Sequence, residues 1–312
     1  MSIPFGIALP NYGPLATPDT LVRLARLAEE LGVDSVWVSD HLVAPLGAAS
    51  VYPYDRRPDR KPGDMGVIEE FYEPVTTLAW LAGATSRVRL GISAYVMPYR
   101  NPIVTAKQIA TLDRLSGGRV ILGIGVGWLA EEFAALDVPF ARRGRRTDDY
   151  VAVCKALWAG GEARFEGETY RLPPVRTGPA PAQRPHPPLW IAGNSTRGIG
   201  RAARIGDGWH GIDLSPDELR PLAASAREHA AAHGKTRFVV SLRKGVLPGG
   251  PAGHALYGDR DAIRRDLDAY RDAGLDYLVA GLRRARSADD AARAVEDVAR
   301  ALGAEPMAAA SP

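Results

Sequence analysis

The sequence predicts an α/β fold, a (β/α)8 TIM barrel with insertions that forms one domain over residues 1–312. Short apolar runs alternate with helical segments eight times along the chain. Most of these runs lack polar alternation, as expected of parallel strands that are covered on both faces. The length of 312 residues also fits a single barrel. A doubly wound open sheet is the alternative, but such a sheet would more often be shorter or divided in two.

The predicted strands are short apolar runs bounded by turn residues. They cover residues 3–9, 33–39, 88–95, 120–124, 189–192, 208–212, 238–246 and 277–280. The first helix starts at Thr17-Pro18-Asp19 and ends at Gly32, with leucines and alanines on one face. The later helices are predicted at residues 71–86, 102–115, 131–135, 147–159, 197–205, 216–233, 261–273 and 289–302.

Two insertions interrupt this alternation. A loop at about residues 40–70 contains four prolines, and a loop of this length inside a compact domain usually carries function or covers a site. We expect it to act as a lid over the substrate. Its side chains include Tyr52, Tyr54, Arg56, Arg57 and Arg60. Residues 163–172 are predicted to form a small hairpin that turns at Glu166-Gly167.

The composition limits the classes of partner. The net charge of +3 arises from 39 basic and 36 acidic residues, without the clustered excess charge of a nucleic-acid-binding face. The single cysteine, Cys154, excludes an internal disulfide and a thiolate metal cluster, and no metal-binding motif occurs. There is no signal-peptide pattern at the N-terminus and no run of about 18 apolar residues. We therefore expect a cytoplasmic protein that binds neither nucleic acid nor membrane.

A glycine-rich stretch, R-L-S-G-G-R-V-I-L-G-I-G-V-G-W at residues 114–128, connects a helix to the fourth strand. Gly123, Gly125 and Gly127 are spaced two apart, so on a strand they would face one side and leave bare backbone for a planar ligand. Tight packing inside the barrel explains the same spacing equally well. The stretch is not the dinucleotide motif G-x-G-x-x-G, because its third spacing differs.

The functional side chains of a barrel follow the C-terminal ends of its strands. Asp40 and His41 follow the second strand and are the one pair at these ends that joins a carboxylate to an imidazole. This combination is suited to moving a proton near neutral pH. Gly193, Asn194 and Ser195 precede a helix, where free amides could hold a phosphate, with ordinary helix capping as the alternative.

Two basic features have a structural interpretation. His210 follows a strand but has no visible partner, so we expect a satisfied structural histidine. The run of arginines at positions 142, 143, 145 and 146 is expected to form a solvated face, with a phosphate or acidic-tail contact as the alternative.

Four segments carry a specific pattern. They are S-V-W-V-S-D-H at residues 35–41, A-K-Q-I-A-T-L-D-R-L-S-G-G-R-V-I-L-G-I-G-V-G-W at 106–128, P-P-L-W-I-A-G-N-S at 187–195 and G-D-G-W-H at 206–210. Together they resemble the luciferase-like flavin and deazaflavin oxidoreductase family. The resemblance runs from residue 3 to about residue 215. It implies a luciferase-like barrel that binds FMN or the deazaflavin coenzyme F420 at the C-terminal ends of the strands.

The resemblance also implies individual site residues. A cis peptide bond that does not precede proline is expected at Ser93-Ala94, against the central ring of the cofactor. The other implied cofactor contacts are Asp40 and His41 beside the ring, Gly125, Val126 and Gly127 along the ribityl side, and Gly193, Asn194 and Ser195 at the phosphate. His41 is the implied catalytic residue, and Trp128 and Tyr95 are expected to line the substrate pocket.

Ser39-Asp40-His41 stands where FMN-dependent members often have Glu-His-His, which resembles the F420 branch more closely. The resemblance thus implies an F420-dependent oxidoreductase that transfers a hydride to or from a small organic substrate. An FMN-dependent monooxygenase supplied by a separate cofactor-reducing enzyme, or a non-catalytic flavin-binding protein, is the alternative. Trp128 replaces the catalytic Glu of the F420-dependent glucose-6-phosphate dehydrogenase branch, which argues against a sugar phosphate substrate. Because the family is commonly oligomeric, we expect a homo-oligomer.

Overall fold

The structure, a computed structural model, describes residues 3–54, 56, 61, 69–251, 254–282 and 285–304. Its strands are β1 (Phe5–Ala8), β2 (Ser35–Val38), β3 (Arg89–Val96), β4 (Val120–Gly125), β5 (Glu162–Glu166), β6 (Arg171–Arg176), β7 (Leu189–Ala192), β8 (Gly208–Ile212), β9 (Val239–Pro248), β10 (Tyr257–Gly258) and β11 (Tyr277–Leu282). Parallel pairing joins β1, β2, β3, β4, β7, β8, β9 and β11 in that order, and β11 returns to β1. The predicted (β/α)8 barrel is therefore confirmed.

Helices cover the outside of the barrel. They are α1 (Pro18–Glu30), α2 (Pro74–Ala84), α3 (Pro102–Leu115), α4 (Ala130–Ala135), α5 (Arg143–Trp158), α6 (Thr196–Ile205), α7 (Pro216–Ala232), α8 (Arg260–Asp272) and α9 (Ala288–Leu302). Four of them begin with proline after a side chain that caps the first turn: Thr17, Glu73, Asn101 and Ser215. None of the helices in the described part of the chain is long and apolar enough to cross a bilayer.

Two helices begin three or four residues away from their predicted starts. Helix α5 starts at Arg143 and not at residue 147, because its first turn, three arginines and a glycine, adds nothing to the apolar pattern. Helix α2 starts at Pro74 and not at residue 71, because Phe71 forms a single β-bridge with Tyr12. In both cases the signal that predicts the helix interior says little about its first turn.

The predicted hairpin is present as the antiparallel pair β5 and β6, which extends four residues beyond the predicted end. It packs on α5, where the buried carboxylate of Asp149 accepts hydrogen bonds from the Thr169 amide at 2.7 Å and the Thr169 hydroxyl at 2.6 Å. The hairpin is thus fixed to the outside of the barrel, away from the strand ends.

Large aromatic side chains fill the barrel interior at its N-terminal end. Trp37 stacks on Trp190 with ring centroids 5.4 Å apart, and its indole donates a hydrogen bond to Ser35 at 2.6 Å. The indole needs two glycines beside it, since a Cβ at Gly6 or Gly91 would lie within 2.4 Å of its ring. This filling closes the bottom of the barrel and leaves the C-terminal end for a site.

Packing explains two of the three glycines along and after β4. A Cβ at Gly123 would lie 2.3 Å from the Ile92 carbonyl oxygen, and one at Gly127 would lie 2.5 Å from the Phe133 ring. The packing alternative is therefore confirmed for Gly123 and Gly127, and the expected cofactor contact of Gly127 stays a prediction. Gly125 is the member with space beside it, since its Cβ would meet only the Ala94 methyl group at 3.4 Å.

We predict that Gly123→Ala destabilises the protein by about 3 kcal/mol or more, because the added methyl group would meet backbone that cannot move aside. Gly83→Ala is the matched control, since Gly83 lies in α2 with open space around its Cα. The control should leave stability unchanged or raise it by up to about 1 kcal/mol, because alanine favours a helix more than glycine does. Urea unfolding measures both changes, and equal stabilities of the two variants would contradict the packing argument.

Candidate active site

The side chains at the C-terminal ends of the strands meet around His41. The His41 ring lies 6.2 Å from the Trp128 ring and 5.4 Å from the Phe71 ring, measured between centroids. Trp128 contacts Tyr52 at 5.2 Å, and Tyr52 contacts Tyr54 at 5.4 Å. A chain of aromatic rings therefore extends across the mouth of the barrel from the end of β2.

A carboxylate holds His41, but it is that of Glu132 and not that of Asp40. The Nδ1 atom of His41 lies 2.7 Å from Oε2 of Glu132, which α4 supplies from the other side of the mouth. The expected pairing of Asp40 with His41 is thus wrong. The His41 side chain is 19% exposed, and its other ring nitrogen, Nε2, has no protein partner in the described part of the chain.

The Glu132 side chain is fully buried, and its carboxylate is the acceptor in each of its hydrogen bonds. Its Oε1 accepts from the Leu42 amide at 2.6 Å, and its Oε2 accepts from the Tyr99 hydroxyl at 2.8 Å. Burial raises the pKa of Glu132, but the hydrogen bonds from His41 and these two donors outweigh it, so the pKa lies below its ordinary value. An ionised carboxylate only accepts, so Nδ1 of His41 carries a proton, and in the neutral imidazole the lone pair is then on Nε2.

Asp40 anchors the end of β3 and does not line the mouth. Its carboxylate accepts two hydrogen bonds from Arg100, at 2.8 and 2.9 Å, and one from the Val96 amide at 2.8 Å. The side chain of Asp40 is completely covered. Protein donors thus neutralise this buried carboxylate, and its expected place beside a cofactor ring stays a prediction.

Tyr95 also points away from the mouth. It is fully buried, its hydroxyl lies 3.0 Å from the Thr105 hydroxyl, and the Arg100 guanidinium covers its ring. A bulge between Ile92 and Tyr95 shifts the register of β3 against β4, which turns Tyr95 toward α3. The expectation that Tyr95 lines a substrate pocket is wrong for this reason.

The peptide bond between Ser93 and Ala94 is cis, as the resemblance implied. Below it lies His210, with Nε2 at 2.8 Å from the Ser93 hydroxyl and Nδ1 at 2.8 Å from the Ser241 hydroxyl. Ser241 donates to the Trp209 carbonyl, so Nδ1 of His210 donates to Ser241, and Nε2 accepts from Ser93. Burial, assisted by the charge of Arg243, lowers the pKa of His210 to about 3. The expected satisfied histidine is present, and its partner is a predicted cofactor contact.

Arg243 reaches the same place from β9. One nitrogen of its guanidinium donates to the Ser39 hydroxyl at 3.0 Å and to the Ser93 carbonyl. No carboxylate lies within ion-pair distance of Arg243 in the described part of the chain. A half-buried positive charge therefore faces the floor of the mouth next to the cis peptide.

The end of β7 has a more structural role than expected. The Asn194 side chain exchanges two hydrogen bonds with the backbone of Ile212, at 2.7 and 2.9 Å, and so is not free to contact a phosphate. Ser195 caps α6 by accepting from the Gly198 amide at 3.1 Å, which confirms the capping alternative for its oxygen. The hydroxyl proton of Ser195 and the first amides of α6 remain available to an anion.

Comparison with known proteins decides the relationship. The family model described as luciferase-like monooxygenase matches residues 1–309. This chain belongs to that family. It is 34% identical over 227 residues to an F420-dependent glucose-6-phosphate dehydrogenase of Kineococcus radiotolerans, covering 70% of this chain and 60% of the relative.

Other relatives show the breadth of the luciferase-like family. An FMNH(2)-dependent dimethylsulfone monooxygenase of Pseudomonas putida is 32% identical over 181 residues, covering 54% of this chain and 49% of that protein. Monooxygenase RslO1 of Streptomyces bottropensis has the same fold, with a TM-score of 0.79 at 24% identity over 96% of this chain and 98% of that one. The family thus includes both F420-dependent and FMN-dependent oxidoreductases.

Trp128 has a clear location in this luciferase-like protein. It is half-buried and meets both His41 and Tyr52 edge to face, so it lies at the mouth and not in the core beneath α4. Val126 and Gly127 precede it and are also half-buried. An indole can donate a hydrogen bond but cannot exchange a proton near pH 7, so His41 is the residue beside Trp128 that can do so.

Helices α4 and α7 form hydrogen bonds with the first part of the long loop, residues 49–56. Glu131 accepts hydrogen bonds from the amides of Ala49 and Ser50, at 2.8 and 3.1 Å. Arg56 forms a two-bond ion pair with Glu218, and mainly this pair lowers the pKa of Glu218 to about 2. Arg57, Arg60 and most of residues 57–68 lie outside the described residues, so the predicted lid stays a prediction.

Glu132 and Arg243 belong to the site but not to the residues predicted for it. In the sequence, Glu131 and Glu132 are ordinary acidic residues at the start of a helix, and nothing in the spacing links position 132 to position 41. Arg243 follows a run of apolar residues in β9, where its inward direction depends on strand register. The sequence signal that could have identified Arg243 is a charged residue within a predicted barrel strand.

We predict that Glu132→Gln destabilises the protein by about 2 kcal/mol at pH 7, because it removes a buried charged acceptor. The folded-state pKa of Glu132 lies below the ordinary value, so its contribution is complete above about pH 5 and declines as the pH falls through the folded pKa. The difference from wild type should therefore shrink between pH 5 and more acidic solution, as measured by urea unfolding. Glu228→Gln, an exposed change on α7, is the control, and a pH-independent effect of Glu132→Gln would contradict the assignment.

Proposed function

We propose that this luciferase-like protein is an F420-dependent oxidoreductase that transfers a hydride between the deazaflavin and a small organic substrate. The observation that carries the proposal is the pair of His41 and Glu132, which directs an open imidazole nitrogen into the mouth of the barrel. When bound, F420 supplies a ring carbon that accepts or donates a hydride and does not react with oxygen. The protein supplies position, electrostatics and the proton.

Features of the mouth fit such a cofactor. Gly193 has a φ of +130°, and a Cβ there would have only the Tyr54 hydroxyl nearby, at 3.5 Å. Space at Gly125 beside Ala94 leaves backbone exposed to a planar ring. The α6 amides and the Ser195 hydroxyl suit a phosphate, because a helix N-terminus favours an anion. We assign the ring to the side of Ser93, Ala94 and Gly125, and the phosphate to Gly193 and Ser195.

His41 has the proton role in this proposal. Its Nε2 lone pair can take the proton of an alcohol as the hydride leaves, or return a proton to a carbon when a substrate is reduced. Glu132 is enclosed by donors and has no free oxygen for a substrate, so it acts as a positioning residue. His41 is therefore the one catalytic residue that we assign.

One sequence feature favours F420 over FMN, and the aromatic side chains indicate the class of substrate. The motif Ser39-Asp40-His41 replaces the Glu-His-His that FMN-dependent members often have. The aromatic wall of Trp128, Tyr52 and Phe71 suits a flat or hydrophobic substrate such as an enone or an aromatic carbonyl. The relative in Pseudomonas putida keeps an FMN-dependent monooxygenase as the second candidate.

The cofactor prediction is tested by titrating the purified protein with F420 and, separately, with FMN, followed by fluorescence. We expect F420 to bind in the micromolar range or tighter and FMN to bind more weakly. Ser195→Asp should weaken F420 binding about tenfold or more, because it adds a negative charge at the phosphate. Ser195→Ala, which removes the hydroxyl without adding charge, should have a smaller effect. Micromolar binding of FMN with none of F420 would overturn the cofactor choice.

The substrate prediction is tested by following oxidation of reduced F420 with a panel of enones, and reduction of F420 with glucose 6-phosphate. We expect enone turnover that falls about 100-fold in His41→Ala, and no appreciable sugar phosphate turnover by wild type. Trp128→Glu restores the carboxylate of the dehydrogenase branch and is the comparison for the sugar. Brisk wild-type turnover of glucose 6-phosphate would refute this view of Trp128, and F420 binding without any turnover would favour a non-catalytic binding protein.

A further inference from the structure

An arginine-rich groove lies on the outside of the barrel between α5, α6 and α7. It has a volume of about 500 Å³, and its lining includes four arginines, Arg145, Arg197, Arg201 and Arg204. Asp148 is the one carboxylate among the residues that line it. His229, in the last turn of α7, and His233, which follows that helix, also line it. The proposed active site uses none of these residues.

The positive charge in this groove is only partly neutralised. Asp148 is shared by Arg201 at 2.6 Å and Arg204 at 2.5 Å, so one carboxylate serves two arginines. Arg145 pairs with Glu168 in the turn of the hairpin, while Arg197 has no ion-pair partner in the described part of the chain. The structure thus leaves an excess of guanidinium groups around an open groove.

Crowding of like charges next to Arg201 is a separate sign of this excess. Arg143, whose Nε donates to the Gly127 carbonyl at 2.9 Å, is partly buried beside Arg201. Burial lowers the pKa of Arg143, and the positive charge of Arg201 lowers it further. Neighbouring cations repel each other, so an anion between them would relieve the repulsion.

Helix α6 carries three arginines of the groove and begins at the proposed phosphate seat. Arg197, Arg201 and Arg204 are four and three residues apart and share one face of α6. Helix α6 begins directly after Ser195, and at 1.5 Å per residue the three arginines span roughly 10 Å along it. A chain of negative charges that leaves the phosphate at Ser195 would therefore meet these guanidinium groups in succession.

We propose that this groove binds the acidic tail of the cofactor, a run of glutamate carboxylates that follows the phosphate in F420. FMN ends at its phosphate and has no group for the groove, so the groove would select the deazaflavin. Arginine suits this task because its planar fork can donate two parallel hydrogen bonds to each carboxylate. The inference rests on the proposed function and adds a binding subsite to it.

The test compares the affinity of the purified full chain for F420 with several glutamates and for the same coenzyme without glutamates, by fluorescence titration. We expect the tailed form to bind about tenfold more tightly at low salt, and the difference to shrink at 0.3 M salt as the charges are screened. Arg197→Gln should reduce the difference, and Arg197→Gln with Arg204→Gln should nearly abolish it. Neither change should affect binding of the form without a tail.

Arg264→Gln is the matched control, because it removes an exposed arginine from α8, which lines no part of the groove. It should leave both affinities unchanged. Equal affinity of wild type for the two forms would overturn the groove assignment and leave the proposed function intact. Failure of both forms to bind, with FMN bound tightly, would overturn the two proposals together.

Discussion

The buried carboxylate of Glu132 is the contact on which the mouth of the barrel depends. It gathers His41 and the Leu42 amide from the end of β2 and the Tyr99 hydroxyl from the turn after β3, while α4 brings it in after β4. A charge removed from water is tolerated only where donors surround it, so three segments distant in sequence must converge for the fold to form. The Glu132 carboxylate, which orients the His41 imidazole, thereby also connects neighbouring strand-helix units of the barrel.

A second set of charged side chains fixes the backbone beneath the mouth of the barrel, at the ends of β2 and β3. Arg100 holds Asp40 across two strand ends, and Arg243 holds the Ser93 carbonyl from the opposite side of the barrel. Each guanidinium bonds a residue that is distant in sequence and lies near the C-terminal end of a strand. Aromatic rings pack the opposite, N-terminal end of the barrel. Side chains on such ends have little freedom to move, which suits a site that must align a ring, a substrate and a proton carrier.

Much of the fold could be predicted from sequence because the signals are local. Pro102–Leu115, Leu189–Ala192 and Gly208–Ile212 agree with the predicted bounds, since capping residues and apolar runs mark both ends. The site was predicted less completely. Position along the chain identified His41 and Trp128 at strand ends, but partners depend on the direction of each side chain in three dimensions.

Asp40, Tyr95 and Asn194 illustrate the limit. Each follows or ends a strand at a place where functional residues occur, yet Arg100, Thr105 and Ile212 engage their side chains. Glu132 shows the converse, because its helical surroundings suggested only an ordinary first turn.

The neutral His210 beneath the cis peptide has a consequence for how the protein responds to its surroundings. With a pKa of about 3, this imidazole keeps the same protonation from mildly acidic to alkaline solution. Its two hydrogen bonds, to Ser93 and Ser241, therefore keep one donor and acceptor pattern over that range. A change of acidity does not reverse the hydrogen bonds that support the end of β3.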